Sequence, residues 1–219
     1  MKNDAINKGY KSISNIYDDY ILSEKLLFKI IAKIIWGFTD KEYSIKLLEN
    51  IADDFSGKIL DIPAGTGILT YEKYLRMKNA KIICMDYSKD MLDIAKERFE
   101  NNNTNNIECR QGDVGDIPFE NETFDTVLSM NGFHAFPDKE KAFYEINRVL
   151  KNNGLFIGCF YIKGKVKRTD WFIKNFFVKD GTFTPPFYTE NEITEKLNAE
   201  YKETKIWNKG SIICFICKK

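Results

Sequence analysis

From Ile59 onward the apolar positions switch repeatedly between a strand-like run and a helix-like spacing. "KILDI" is a short apolar strand, and "GILTYEKYLRMK" after it has helical spacing. "AKIICMD" reads as a second strand ending on an acid. "SKDMLDIAKERFENN" reads as an amphipathic helix with a serine cap and an aspartate in its first turn. "IECRQGD" and "FDTVLSMNG" give a third and a fourth strand. "KEKAFYEINRVLKNNG" predicts a helix closed by Gly154 in the C′ position, and "LFIGCFYI" a fifth strand. Strands joined through helices of this length need crossovers, so the sheet is α/β, doubly wound and mostly parallel. The end of the chain departs from that plan. "TENEITEKLNAE" is a helix with a capping box formed by Thr189 and Glu192. "YKETKIWNKG" and "SIICFICKK" then form an antiparallel hairpin, which brings the sheet to seven strands.

Two segments fall outside this framework and set the domain reading. Residues 1–50 precede the first strand and predict an N-terminal helical cap on a domain spanning 51–219. Within them "KLLFKIIAKIIWGF" carries Lys25, Lys29 and Lys33 four apart on one helical face. A helix packing on the domain is the plain reading; peripheral membrane contact through 25–36 is the sharper one. The second segment, about 163–188, contains "WFIKNFFVKDGTFTPPFY", dense in aromatics around a glycine and two prolines. A long connection at that place predicts a lid over a binding site. Tyr10, Tyr20, Trp36, Trp171, Phe172, Phe176, Phe183 and Phe187 are candidates for the roof of an apolar pocket.

Composition narrows the classes. Over 219 residues, 33 basic side chains face 32 acidic ones, so nucleic acid is not expected as a partner. No apolar run reaches transmembrane length and the first residues lack the apolar stretch of a signal peptide, so the expected location is cytoplasmic. "CFIC" matches a CxxC pattern, but positions i and i+3 of a strand point to opposite faces. No metal site is therefore expected from Cys214 and Cys217.

Candidate chemistry gathers at the strand ends, where ligands bind in open α/β sheets. "DIPAGTGILT" puts Asp61 at the end of the first strand and Gly65 and Gly67 in the turn after it. A P-loop needs Gly-Lys-Ser/Thr, which is absent; a dinucleotide fingerprint needs a third glycine where Thr70 stands. An acid ahead of the glycines repels a pyrophosphate and attracts an ammonium or sulfonium ligand such as S-adenosylmethionine. Asp86 closes the second strand, positioned to accept from both ribose hydroxyls, with Tyr87 and Met91 flanking an adenine. After the third strand, Gly112 leads into Asp113 and Val114, suited to the adenine amino group and a ring nitrogen. Met130, Asn131 and His134 follow the fourth strand, where a methyl group would be presented.

In this order the features resemble the class I S-adenosylmethionine-dependent methyltransferases, in particular the small-molecule branch of the ubiquinone/menaquinone-biosynthesis type. The resemblance covers about residues 55–162, through "ILDIPAGTG", "MDYSKDML", "GDVGDIPFENETFDTVLSMNGFH" and "EINRVLKNNGLF". It implies a Rossmann-like fold and S-adenosylmethionine as cofactor. Asp61, Ala64, Gly65, Thr66 and Gly67 would surround its methionine end, Asp86 the ribose, and Asp113 and Val114 the adenine, with Tyr17 closing over it. Pro63 departs from the pattern, standing where the family has its first glycine. The implied reaction is methyl transfer to a small apolar or aromatic acceptor; Asn131 is the candidate to orient that acceptor or to contact the cofactor's amino end. His134, the only histidine in the chain, is the candidate base, and a structural histidine or pocket wall is its other reading. Two further readings stay open: a cofactor-binding protein without transferase activity, and an NAD-dependent oxidoreductase.

Overall fold

A computed structural model describes Asp18, Ile35, Trp36 and residues 41–102 and 104–219. Seven strands form one sheet: β1 (Lys58–Asp61), β2 (Lys81–Asp86), β3 (Ile107–Gln111), β4 (Phe124–Met130), β5 (Leu150–Tyr161), β6 (Glu203–Lys209) and β7 (Ile212–Lys218). Their order is β3-β2-β1-β4-β5-β7-β6. The first five strands are parallel, and β7 runs antiparallel to both β5 and β6. The expected mostly parallel sheet with a terminal hairpin is what the chain forms. Around it lie α1 (Lys41–Leu48), α2 (Tyr71–Arg76), α3 (Lys89–Glu100), α4 (Lys139–Val149), α5 (Lys167–Phe172), a π-helical turn (Ile173–Phe177) and α6 (Glu190–Glu200).

Strand alternation divides the core into two halves. Leu60, Ile83, Met85, Val127, Phe156 and Phe215 face α4 and α6, meeting Ile146, Ile193 and Leu197. Ile59, Ile82, Cys84, Leu128, Ile157 and Cys214 face the other way, against Leu47 of α1, Tyr74 of α2 and Phe99 of α3. Cys214 and Cys217 therefore sit in opposite halves of the core, as the strand period requires. Both edge strands carry charge, Glu108 and Arg110 on β3 and Lys205 and Lys209 on β6, which discourages edge pairing.

Caps fall where the sequence puts them. Ser88 accepts from the Met91 amide, Asp138 from the Lys141 amide at 2.9 Å, and Thr189 with Glu192 completes the capping box. Two expectations fail. The helix after the glycine turn begins only at Tyr71, so a run of turns separates the glycines from its N-terminus. Gly154 does not cap α4 either: that helix ends at Val149 and the chain passes directly into β5. A Cβ at Gly154 would meet the carbonyls of Lys151 and Asp125 at 2.9 and 3.0 Å, so glycine is needed there for a close crossing at a register shift.

Segment 163–188 packs onto the domain rather than standing off it. Thr169 Oγ1 donates to the Ile35 carbonyl at 2.6 Å, and the Thr184 amide donates to that of His134 at 2.8 Å. The expected cap helix over 25–36 and its lysine face lie outside the described residues, apart from Ile35 and Trp36. Phe156, fully buried, contacts Phe133, Phe143, Tyr201 and Phe215 across the α4–α6 side of the core. Replacing it leaves a large cavity in a rigid region. Phe156→Ala is expected to lower stability by about 3–5 kcal/mol, read as a lower urea midpoint with an unchanged slope.

Candidate functional site

A cavity opens at the C-terminal ends of β1, β2 and β4. The expected residues Asp61, Ala64, Gly65, Thr66, Asp86, Tyr87, Met91, Gly112, Asp113, Val114, Met130 and Asn131 all line it. Gly67 and His134 do not join them. Gly67 has a φ of +71°, and a Cβ there would press on the Phe99 ring at 3.0 Å, so it serves the packing of the turn on α3. Tyr17 lies outside the described residues.

The glycine turn is fixed by its neighbours. Gly65, at φ +56°, donates its amide to Asp86 Oδ2 at 2.8 Å, and the Ser88 amide donates to Asp86 Oδ1 at 2.8 Å. One carboxylate thus ties the β1 turn to the β2 turn. Thr66 Oγ1 donates to Asp18 Oδ1 at 2.5 Å, while Arg98 reaches both the Thr66 carbonyl and Asp18. Pro63 is accommodated from below: a Cβ at Gly132 would meet Pro63 Cδ at 2.3 Å, so the residue facing the proline must be glycine.

Asp61 is buried and takes hydrogen bonds from Thr70 Oγ1 at 3.1 Å and Tyr74 Oη at 2.9 Å, both on Oδ2. The Thr70 hydroxyl therefore serves the acid and, although Thr70 is the N-cap residue, makes no side-chain cap bond to α2. Burial pushes the Asp61 carboxyl up to about 7 against those two hydrogen bonds, and the nearby Asp86 adds to the rise. Burial likewise lifts Asp86 to about 6, opposed by the amides it accepts from. Asp113 Oδ1 accepts from the Gly115 amide at 2.7 Å. Among the described lining residues there are three carboxylates and no basic side chain.

Asn131 follows β4 with a φ of +55°, a strained conformation of the kind found at functional sites. Its amide donates to the Cys159 carbonyl at 2.8 Å, and its side chain is hydrogen-bonded to the Tyr43 hydroxyl of α1 at 3.0 Å. His134 is turned into the protein instead. Its Nδ1 accepts from the Tyr161 amide at 3.3 Å, and its ring stacks on Phe183 with centroids 3.9 Å apart. Burial, with Lys139 nearby, depresses it to about 3. Phe183 in turn contacts Trp36, Tyr161 and Phe187, so part of the expected roof is a buried aromatic cluster beside the cavity. Trp171 and Phe176 face solvent.

Asp18, Tyr43 and Arg98 were not singled out from the sequence. Each acts through a residue that was, and nothing in local spacing links positions 32 to 88 residues apart.

Residues 59–154 match the family model of a methyltransferase domain. Over that stretch the chain is similar to methyltransferase domains. It is 36% identical over 110 residues to the demethylmenaquinone methyltransferase of Lactococcus lactis, covering 50% of this chain and 44% of that protein. It is 38% identical over 117 residues to an uncharacterized methyltransferase-like protein of Schizosaccharomyces pombe, covering 52% and 43%. These matches span somewhat under half the length of those relatives. The methyltransferase fold is shared by a Thermotoga maritima structure described as an S-adenosylmethionine-dependent methyltransferase, possible histamine N-methyltransferase. That match has a TM-score of 0.66 at 15% identity and covers 96% of this chain and 99% of that one.

The raised Asp61 makes a stability prediction. An acid whose folded pKa stands above its ordinary 3.8 holds its proton longer in the folded state, so stability falls as pH rises from about 4 through 7. Asp61→Asn is expected to remove a decline of about 4 kcal/mol across that window, visible in urea midpoints for the two proteins at pH 4 and pH 8.

Proposed function

We propose that this methyltransferase domain binds S-adenosylmethionine and transfers its methyl group to a small apolar or aromatic acceptor. One observation carries the reading: a buried, glycine-turned cavity lined by three carboxylates and no described cation. A pyrophosphate would meet uncompensated negative charge there, which counts against a nicotinamide dinucleotide. A ligand bearing ammonium and sulfonium charge would relieve it. The donor set also fits the rest of the cofactor. Each Asp86 oxygen has a lone pair beyond the amide it accepts from, suited to a ribose diol. Gly65 presents open space to the cavity, with no atom within 4 Å of where a Cβ would stand. Asp61, Ala64, Thr66 and Asn131 would hold the methionine end, Asp86 the ribose, and Tyr87, Met91, Gly112, Asp113 and Val114 the adenine. Tyr17 would close over it from the N-terminal cap.

When bound, the sulfonium supplies an already activated methyl group. What falls to the chain is to hold an acceptor in line and exclude water. Met130, Asn131, Ala135 and Phe136 form the wall on that side. Asn131, oriented by Tyr43, is the group placed to direct an acceptor or the amino end of the cofactor. His134 fits the structural reading better than the base: Nδ1 is engaged and the ring stays neutral at working pH. A quinone-type acceptor is supported by the relatives named demethylmenaquinone methyltransferase in Lactococcus lactis and 2-methyl-6-phytyl-1,4-hydroquinone methyltransferase in Oryza sativa. We read segment 163–188 as the lid of this pocket. We also place the protein in the cytoplasm; no described helix is long and apolar enough to cross a membrane, and the five cysteines are free.

Titration calorimetry tests the cofactor. S-adenosylmethionine should bind and release protons, its affinity rising with pH through about 6 to 7 as the two acids ionise. Asp86→Asn should weaken it by about 10–100-fold. Tight binding of a nicotinamide dinucleotide with no heat from the sulfonium compound would overturn the assignment. S-adenosylmethionine consumption over a panel of quinols and phenols separates an enzyme from a binding protein. In the active enzyme, His134→Gln should leave the pH–rate profile unshifted; loss of an ionisation in the variant would restore histidine as the base.

A further inference from the structure

We infer that the helical run Lys167–Phe177, with the loops on either side, docks the protein on an anionic phospholipid surface. α5 and the π-helical turn form one continuous run with two unlike faces. On the inner face Thr169 is fully buried and bonded to Ile35, Ile173 is buried, and Phe177 packs on Phe183 with ring centroids 5.2 Å apart. On the outer face Trp171 and Phe176 stand 56% and 52% exposed. With Phe172 they form a triangle of rings, centroids 5.1, 5.8 and 5.6 Å apart. Three contiguous aromatics rarely remain at a surface without a partner.

The charge around them says what that partner is. Between Lys163 and Asp180 there are six basic residues and two acids, in a chain whose total is near balance. Lys167, Arg168, Lys174 and Lys179 are all exposed. Both acids are engaged by hydrogen bonds within the chain, Asp170 half-buried and Asp180 exposed. Asp170 accepts from the Tyr161 hydroxyl at 2.7 Å and the Gly164 amide at 3.0 Å; Asp180 accepts from the Thr182 amide and hydroxyl at 2.9 and 2.7 Å. The outward face is therefore aromatic and mainly cationic. That combination suits the headgroup region of an anionic bilayer, where indole rings settle and basic side chains are drawn to the negative surface.

The location gives docking a use. The same segment runs on to Phe183 and Thr184, which hold the His134 turn, and Ala135, Phe136 and Pro137 of that turn line the cavity. A bilayer against this face lies beside the acceptor wall, so an apolar acceptor dissolved in lipid has a short path inward. This last step rests on the methyl-transfer reading; the docking itself does not.

Vesicle co-sedimentation tests it. The whole chain is mixed with vesicles of phosphatidylcholine alone, or of phosphatidylcholine with an equal share of phosphatidylglycerol. Wild type should partition to the mixed vesicles at low ionic strength, about tenfold or more above the neutral ones, and detach in high salt. Trp171→Ser with Phe176→Ser, and separately Lys167→Gln with Arg168→Gln and Lys174→Gln, should each reduce partitioning at least tenfold. Both variants should keep wild-type thermal unfolding, which shows that the fold is intact. The inference is overturned if wild type stays in the supernatant with the mixed vesicles or the variants sediment like wild type. It is overturned equally if single-stranded nucleic acid displaces the protein from the vesicles through this face at lower concentration than lipid binds it.

Discussion

One buried carboxylate holds the site together. Asp86 closes β2 and accepts amides from Gly65 and Ser88, so the glycine turn, the second strand and the start of α3 share one fixed point. Gly65 keeps its left-handed conformation there although nothing crowds its Cβ position. Its glycine is a matter of backbone geometry, whereas Gly67 and Gly132 are held by the side chains they face. Without the Asp86 bridge, two turns from different parts of the chain would have no reason to keep the spacing a nucleoside requires.

That arrangement is electrostatically expensive until something positive arrives. Asp61 and Asp86 are both buried and both raised by that burial, and Asp86 adds to the rise at Asp61. A structure built for stability alone would place an apolar or basic residue at one of the two strand ends. Tyr74 and Thr70 offset part of the strain at Asp61 by donating to a single oxygen, at the expense of a side-chain cap on α2. A cap bond gives way to the demands of the acid.

These particulars mark how far the sequence could be read. The strand ends, the acids on them and the faces of Cys214 and Cys217 follow from period and order, which are local properties. The uncapped N-terminus of α2 does not, because it depends on where the Thr70 hydroxyl points. Gly154 looked like a helix cap since a glycine after a helical run is usually one; the close approach of Lys151 and Asp125 that fixes it is tertiary. Arg98, Asp18 and Tyr43 reach the site across the fold, beyond any spacing rule. His134 was singled out as the lone histidine near a strand end, but burial and a backbone donor decide its chemistry.

The aromatics of 163–188 divide for a reason that spacing alone hides. A plain α-helical period puts Phe172 and Phe176 on one stripe and Ile173 and Phe177 on the next, adjacent to it. The π-helical turn across Ile173–Phe177 widens the step between them. It lets Phe177 reach Phe183 and the His134 stack while Phe176 stays beside Trp171 outside. Charge separates with the rings: the cavity side is acidic and the outer face basic, within a chain of nearly zero net charge. A near-zero total therefore conceals two opposed local fields, and each selects its partner by its own sign rather than by the sum.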